Sequence, residues 1–169
     1  VKLDILEGIF SRRSVRNYTS ESVGGDHVLE IIKAGMWAPS GLNNQPWRFV
    51  VIKDGMLREG LAQLTKYSRV LKEAPVAIVV FIDHGAMYND VKDHQSVGAC
   101  IQNMLLAAHA MGLGAVWLGE ILKNADKVRV LLDLSDNLEL MAVIALGHPQ
   151  KTDQESSRRD IGEMLIREY

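Results

Sequence analysis

Residues 75–82 read Pro75-Val76-Ala77-Ile78-Val79-Val80-Phe81-Ile82, an apolar run with no charged or amide side chain. A stretch this short and this uniformly apolar reads as a strand buried on both faces, because a strand with one wet face alternates apolar and polar residues. Such a strand forces a layered fold, in which other elements pack against each side of its sheet.

The flanking sequence supplies those elements. Leu3, Leu6, Ile9 and Phe10 recur at helical spacing and predict a short helix over residues 3–10. Gly24-Gly25 breaks the chain, and Asp26 is placed to cap a helix whose apolar positions are Val28, Leu29, Ile31, Ile32 and Met36. Pro39, Ser40, Gly41, Asn43, Asn44 and Pro46 impose a loop, with Pro46 steering Gln45 away from helical geometry, before a strand over Trp47–Ile52. A short helix is expected over Met56–Leu64, whereas residues 84–94 are polar and mixed, either a mobile loop or the first turn of the next helix. From Ser96 to Met111 the pattern is strongly helical: Val97, Ile101, Met104, Leu105, Ala108 and Met111 share one broad face, which Cys100, Leu106 and Ala107 widen. This helix is expected to be contacted on more than one side.

Gly112-Leu113-Gly114 ends it and leads into Ala115–Gly119, a short strand or turn. A helix over Asn124–Leu132 and a strand over Leu138–Leu146 follow. The tail is polar from Lys151 to Arg159 and apolar again at Ile161, Leu165 and Ile166, so its final segment should have something to pack against. Helices alternating with three or four strands, without a repeat or low-complexity linker, predict an α/β or α+β sandwich and one domain over residues 1–169.

Nineteen Lys and Arg against 21 Asp and Glu leave a net charge of −2, which provides no general field for a polyanion. Neither a nucleic acid nor a membrane is an expected partner, since no apolar run reaches membrane length. The lone Cys100 cannot form an internal disulfide, and no Cys-x-x-Cys pair exists for zinc or thiol exchange. Val1 to Phe10 carries Lys2, Asp4 and Glu7 and lacks the apolar core of a signal peptide, so a reducing, cytoplasmic location is the expectation, leaving aside any processed upstream segment.

Three segments carry concentrated polar or glycine-rich chemistry. Ser11-Arg12-Arg13-Ser14-Val15-Arg16 places three guanidinium groups within five residues, a set that either binds phosphate through directional donors or forms a solvated basic turn. Ala38–Trp47 offers amides that can match the donors and acceptors of a flat heteroaromatic ligand, or can bond the loop's own backbone. Gly112–Gly119 follows a helix instead of opening one, which departs from the dinucleotide-binding fingerprint. Its glycines allow close backbone approach to a planar ligand with Trp117 as an apolar wall, or simply tight packing. Elsewhere, His84 and His94 with Asp83, Asp90 and Asp93 match no zinc spacing, His109 reads as packed or hydrogen-bonded, and Cys100 reads as a buried thiol.

Together, Arg12-Arg13-Ser14-Val15-Arg16, Ala38-Pro39-Ser40-Gly41-Leu42-Asn43-Asn44-Gln45-Pro46-Trp47, Gln102–Ala108 leading to Gly112-Leu113-Gly114, and Ala145-Leu146-Gly147-His148-Pro149 resemble the FMN-dependent nitroreductase family, in the family's order and over nearly the whole chain. The resemblance implies an α+β fold with a central mixed or antiparallel sheet surrounded by helices, built as an intertwined homodimer with two FMN sites at the interface. It implies that Arg12, Arg13 and Ser14 contact the phosphate or ribityl region, that Arg16 approaches the flavin pyrimidine, and that Pro39, Ser40, Asn43 and Gln45 come from the other subunit. Leu118 and Gly119 would bring a backbone donor to flavin N5 beside Trp117, and Arg158 or Arg159 would meet the phosphate. Gly119-Glu120 reverses the Glu-Gly order of larger members, which shifts that donor by a residue.

The implied activity is transfer of reducing equivalents from NADH or NADPH, through FMN, to a small planar acceptor, with Arg16 tuning the flavin and no side-chain nucleophile. FMN-dependent chemistry without a nicotinamide donor and a non-catalytic FMN-binding dimer are the competing readings.

Overall fold

The structure, a computed structural model, describes residues 4–169. Its elements in chain order are α1 (Ile5–Ser11), α2 (Gly25–Met36), β1 (Trp47–Ile52), α3 (Gly55–Ala62), α4 (Ser68–Glu73), β2 (Val76–Asp83), α5 (Asp90–Ala110), β3 (Gly114–Leu118), α6 (Ala125–Leu131), β4 (Leu138–Gly147) and α7 (Ile161–Met164). The four strands form one sheet in the order β1-β2-β4-β3, antiparallel at every pairing. The fold is α+β, and of the mixed or antiparallel sheet expected, the antiparallel form is found.

β2 behaves as its composition demands. It pairs on both edges, and its alternate residues enter two different cores. Val76, Ile78, Val80 and Ile82 join Ile31 of α2 and Val97, Ile101 and Met104 of α5 on one face. Ala77, Val79 and Phe81 face Leu61 of α3, Leu71 of α4 and Val128 of α6 on the other. Phe81 is fully buried, and removing a side chain of that class from water contributes roughly 1.5–3 kcal/mol.

Several boundaries differ from expectation, each for a local reason. Asp26 does not cap α2: Gly24 occupies the N-cap with no side-chain bond, and Asp26 sits inside the first turn, where its charge faces the positive end of the helix dipole. α3 begins one residue before Met56 because the Asp54 carboxylate accepts the Leu57 N–H at 2.8 Å. Residues 84–94 resolve into a 3-10 turn at His84–Ala86 followed by the opening of α5, which Asn89 caps by accepting the Lys92 N–H at 3.0 Å. α5 therefore starts at Asp90 and not at Ser96, and its 21 residues span about 31 Å. Gly112 closes it at φ +74°, with its N–H donated to His109 O, as a left-handed C-terminal residue does. In the expected 3–10 helix, Leu3 lies outside the described residues, while α1 is capped by Asp4.

The tail carries the largest departure. Ile161, Met164, Leu165 and Ile166 are 56–96% exposed, so nothing among the described residues supplies the packing their composition calls for. Among the described residues no helix is long and apolar enough to cross a membrane.

Candidate functional site

The segments singled out by the sequence sit at opposite ends of α5. Pro39, Ser40 and Gly41 border a shallow pocket with Tyr88, Lys92, Gln95, Ser96 and Ala99 from the N-terminal part of the helix and the turn before it. Arg12 and Arg13 border a cavity with Leu105, His109 and Gly112 at its C-terminal end. From Ser96 to His109 the helix rises about 20 Å, so one chain does not bring loop and arginines together.

At the C-terminal end, the chain leaving α1 lies along the outer edge of β3. Val15 N–H donates to Ala115 O at 3.0 Å, and the approach depends on Gly114, where a Cβ would lie 2.7 Å from Val15 Cγ1. Tyr18 fixes the far side, its hydroxyl 2.6 Å from Val15 O and 3.1 Å from Ala145 O. Burial, with Glu73 nearby and against the opposing pull of Arg16, pushes that phenol well above its ordinary pKa.

The arginines so placed differ in what they have left to give. Arg13 uses Nη1 on Phe10 O (2.7 Å) and Arg12 O (2.9 Å), and Nε on Gln154 O (3.1 Å), which ties the segment to the tail. Arg12 Nε and Nη1 are buried with no acceptor among the described residues. Burial, then the charges of Arg158 and Arg13, lower the Arg12 pKa. Arg158 Nη1 donates to Ser156 Oγ (2.6 Å) and Ser157 O (2.8 Å), and Arg16 is exposed, 3.4 Å from Ser14 O. Arg12, Arg13, Ser14, Arg16 and Arg158, with Gln154, Glu155 and Ser156, line a cavity of about 390 Å³; Arg159 is not among the lining residues. Four cations facing one carboxylate, with a buried guanidinium unpaired, form a site that an anion would complete.

His109 Nε2 lies 2.8 Å from Ser11 Oγ on the neighbouring wall, the hydrogen-bonded alternative of the packed or hydrogen-bonded histidine expected. Burial, then Arg12 and Arg13, lower its pKa. The Cys100 thiol is buried and pushed up to about 12, which leaves it inert.

β3 contributes backbone. Its side chains at Val116 and Leu118 are buried in the core, while Trp117 is 40% exposed. Because Ala115 O points away from β4 to meet Val15, strand alternation turns the Trp117 and Gly119 N–H groups the same way. The Gly119 N–H has no acceptor among the described residues. Beyond it, Glu120 Oε2 accepts from Thr65 Oγ1 at 2.7 Å and from Lys66 N–H at 2.9 Å. The sequence offered no signal for these contacts, since the partners are 55 and 54 residues away.

The loop at the other end is bound to itself. Ser40 Oγ accepts the Gln45 N–H (3.1 Å), and Gln45 Nε2 donates to Asn43 O (3.2 Å), which is the self-bonded arrangement considered for these amides. Pro39 and Asn43 are exposed. Leu42, Asn43 and Gln45 all have positive φ, at 55°, 55° and 47°. Asn43 tolerates that region, but for Leu42 and Gln45 it is strained, and strain of this sort concentrates at functional sites. Asn44 points inward, its Nδ2 donating to Asp93 Oδ1 (2.7 Å) and Ala86 O (2.9 Å). Asp93 Oδ2 accepts the Tyr88 and Asn89 N–H groups, both at 2.8 Å. The histidines nearby serve Glu139, with His84 Nε2 at 2.8 Å and His94 Nε2 at 3.3 Å; no cluster able to hold a metal occurs among the described residues.

A four-stranded antiparallel sheet between helical layers, with an arginine-lined cavity beside its β3 edge, defines an α+β class with a basic cavity at the margin of the sheet. Within it the chain belongs to the nitroreductase family, which matches residues 9–68 and 62–148. It is similar to a candidate nitroreductase from Desulfovibrio desulfuricans solved in complex with FMN, at 50% identity and a TM-score of 0.95 over 100% of this chain and 99% of that one. A candidate NADH dehydrogenase/NAD(P)H nitroreductase from Methanothermobacter thermautotrophicus is 35% identical over 150 residues, covering 88% of this chain and 78% of the relative. The NADPH:FMN oxidoreductase of Vibrio harveyi, complexed with NAD+, superposes with a TM-score of 0.89 at 27% identity, over 97% of this chain and 76% of that one.

Proposed function

We propose that the chain is an FMN-dependent oxidoreductase that takes reducing equivalents from NADH or NADPH and passes them to a small planar acceptor. The observation that carries this reading is the Arg12 guanidinium, whose Nε and Nη1 are buried without an acceptor among the described residues, in the wall that Arg12, Arg13 and Arg158 give to a cavity of about 390 Å³. A phosphate group supplies the acceptors that these donors lack. The family, the FMN complex of the Desulfovibrio desulfuricans neighbour and the nicotinamide cofactor names among the relatives support the same cofactor and donor.

FMN supplies the hydride chemistry when bound, and the side chains position and tune it. Arg12 and Arg158 hold the phosphate, with Arg13 and Ser14 bracing the segment; Arg158 is favoured over Arg159 because it lines the cavity. Arg16, exposed and held only by a 3.4 Å contact to Ser14 O, would favour negative charge on the pyrimidine side of the flavin. The Trp117 to Gly119 edge offers its outward N–H groups to the ring, with Leu118, whose backbone faces Val143 of β4 and whose side chain is 2% exposed, seating the strand behind them.

The site is shared between two copies of the chain in this reading. Pro39, Ser40, Asn43 and Gln45 lie about 20 Å from the arginines along α5, and a two-fold partner brings them back. The chain exposes 10171 Å², against about 8,300 Å² for a compact monomer of this mass. An apolar groove of about 420 Å³ between α1, α2 and α5, and the unpacked tail, are surfaces a second copy covers. The lone buried cysteine fits a reducing, cytoplasmic setting.

Denaturing the native protein should release one intact FMN per chain, identified by mass, and anaerobic NADH or NADPH should bleach the oxidised flavin band. A chain that holds FAD at saturation removes the cofactor assignment; bound FMN that neither nucleotide bleaches removes the donor.

A further inference from the structure

Beside the open Gly119 N–H stands a carboxylate that this chemistry leaves unused. Glu120 Oε2 takes the Thr65 hydroxyl at 2.7 Å and the Lys66 N–H at 2.9 Å, while Oε1 is paired with Lys123. Thr65 is 7% exposed, so the anchor point lies in the interior. Asn124 Nδ2 adds a bond to Leu64 O at 2.8 Å. These contacts fasten the connector between α3 and α4 to the turn that follows β3. The bond from Lys123, then those from Thr65 and Lys66, hold the Glu120 carboxyl at about 2, ionised at any working pH. Gly119, at φ −96° and ψ −19°, has no side chain to fix its own peptide plane. Its orientation is set from outside, by Leu118 seated in the core on one side and by Glu120 on the other.

We propose that Glu120 is a positioning residue for flavin reduction: pinned by Thr65 and Lys66, it aims the Gly119 N–H from the direction in which that group donates to flavin N5. This rests on the reading of Trp117–Gly119 as the flavin-facing edge. A donor aimed at an atom whose charge changes during reaction acts only when correctly placed, and a misplacement near 1 Å is worth roughly a hundredfold in rate.

The test uses FMN-loaded protein and compares three quantities across variants: the limiting rate of flavin bleaching by NADH or NADPH, the FMN dissociation constant and the melting temperature. Glu120→Ala should slow bleaching by about tenfold or more while FMN affinity stays within about threefold. Glu120→Gln keeps an acceptor oxygen and should recover most of the rate, and Thr65→Val, which removes one of the two anchors, should fall between. Gly119→Pro removes the N–H itself with a modest rotation of φ, and combining it with Glu120→Ala should add nothing, since both act through one donor. Additive effects, or a lower melting temperature with an unchanged rate per bound flavin, overturn the proposal while leaving the flavin-facing edge intact. An unchanged rate in Gly119→Pro alone removes that edge reading, and the proposal with it. If Glu120→Ala does not fold, Thr65→Val and Glu120→Gln carry the same comparison.

Discussion

The two ends of α5 are built in opposite ways. At the N-terminal end, Asp93 is fully buried and receives three N–H donors, from Asn44, Tyr88 and Asn89, with Asn44 Oδ1 the one buried side-chain atom left over there among the described residues. At the C-terminal end, guanidinium groups crowd one another and Arg12 keeps two buried nitrogens without an acceptor. At the first end the chain itself meets all but that one oxygen. The second carries the larger deficit, two buried guanidinium nitrogens that an anion would meet, so what separates the two ends is unmet polar capacity and not polar density.

The sharpest way to break this contrast is Asp93→Ala, which leaves three buried N–H donors unmet and should cost about 3 kcal/mol in chemical denaturation. Burial raises the Asp93 carboxyl, but the bonds from Asn89, Asn44 and Tyr88 outweigh it and bring it below the usual range. The stability it contributes is therefore complete above the unfolded carboxylate value near 3.9 and is lost as pH falls through the lower folded value. Asp93→Asn should flatten that acid limb. If the limb is unchanged, the N-terminal end does not depend on this network.

Arg12→Ala tests the other end and should behave inversely. It should weaken FMN binding by roughly 10- to 100-fold, the loss of about 1.5–3 kcal/mol of charge-assisted contact, without destabilising the FMN-free protein, because it removes an uncompensated buried charge. Flavin fluorescence titration and a melt of the FMN-free protein read both. A destabilised FMN-free variant with normal FMN affinity would reduce Arg12 to a packing residue.

These two residues also show what the sequence made visible. The Arg12–Arg16 cluster was legible because its chemistry is local, but the division of labour within it was not: Arg13 is tied to Gln154, 141 residues away. Asn43, Asn44 and Gln45 look alike in sequence, yet Asn44 turns inward to Asp93, a partner 49 residues off. β2 was readable because two-sided burial leaves no polar position from Val76 to Ile82. α4 was missed because Ser68–Glu73 buries only Val70 and Leu71, too few for a helical period.

A smaller effect belongs to the loop. Leu42, 86% exposed at φ 55°, should tolerate glycine with a gain of about 1 kcal/mol, since only its Cβ opposes that backbone. A loss on Leu42→Gly in equilibrium unfolding would mean instead that this side chain is covered by the second copy.

The smallest concerns the Glu139 clasp beside the same end. A bond to the Asp90 carbonyl, and then Glu139 against the opposing effect of burial, raise the His94 pKa. Its contribution is thus fully present below the unfolded histidine value near 6.5 and disappears as pH rises through the folded one. With His94 partly exposed, this amounts to about 0.5 kcal/mol. His94→Gln should remove that alkaline decline from a stability profile, and a decline of the same size in the variant would assign it elsewhere.

The bond from Arg13 to Gln154 also has a consequence in time. Helices such as α5 and the β1–β2 and β3–β4 pairs join residues close in sequence, whereas the wall of the arginine cavity closes a loop of 141 residues. Closing so long a loop carries an entropic penalty that nearby pairings do not, so this wall belongs among the late events on the folding route. Capture of an anion there would report a completed chain fold, and a refolding experiment should see sheet and helix signals recover before the cavity can hold its ligand.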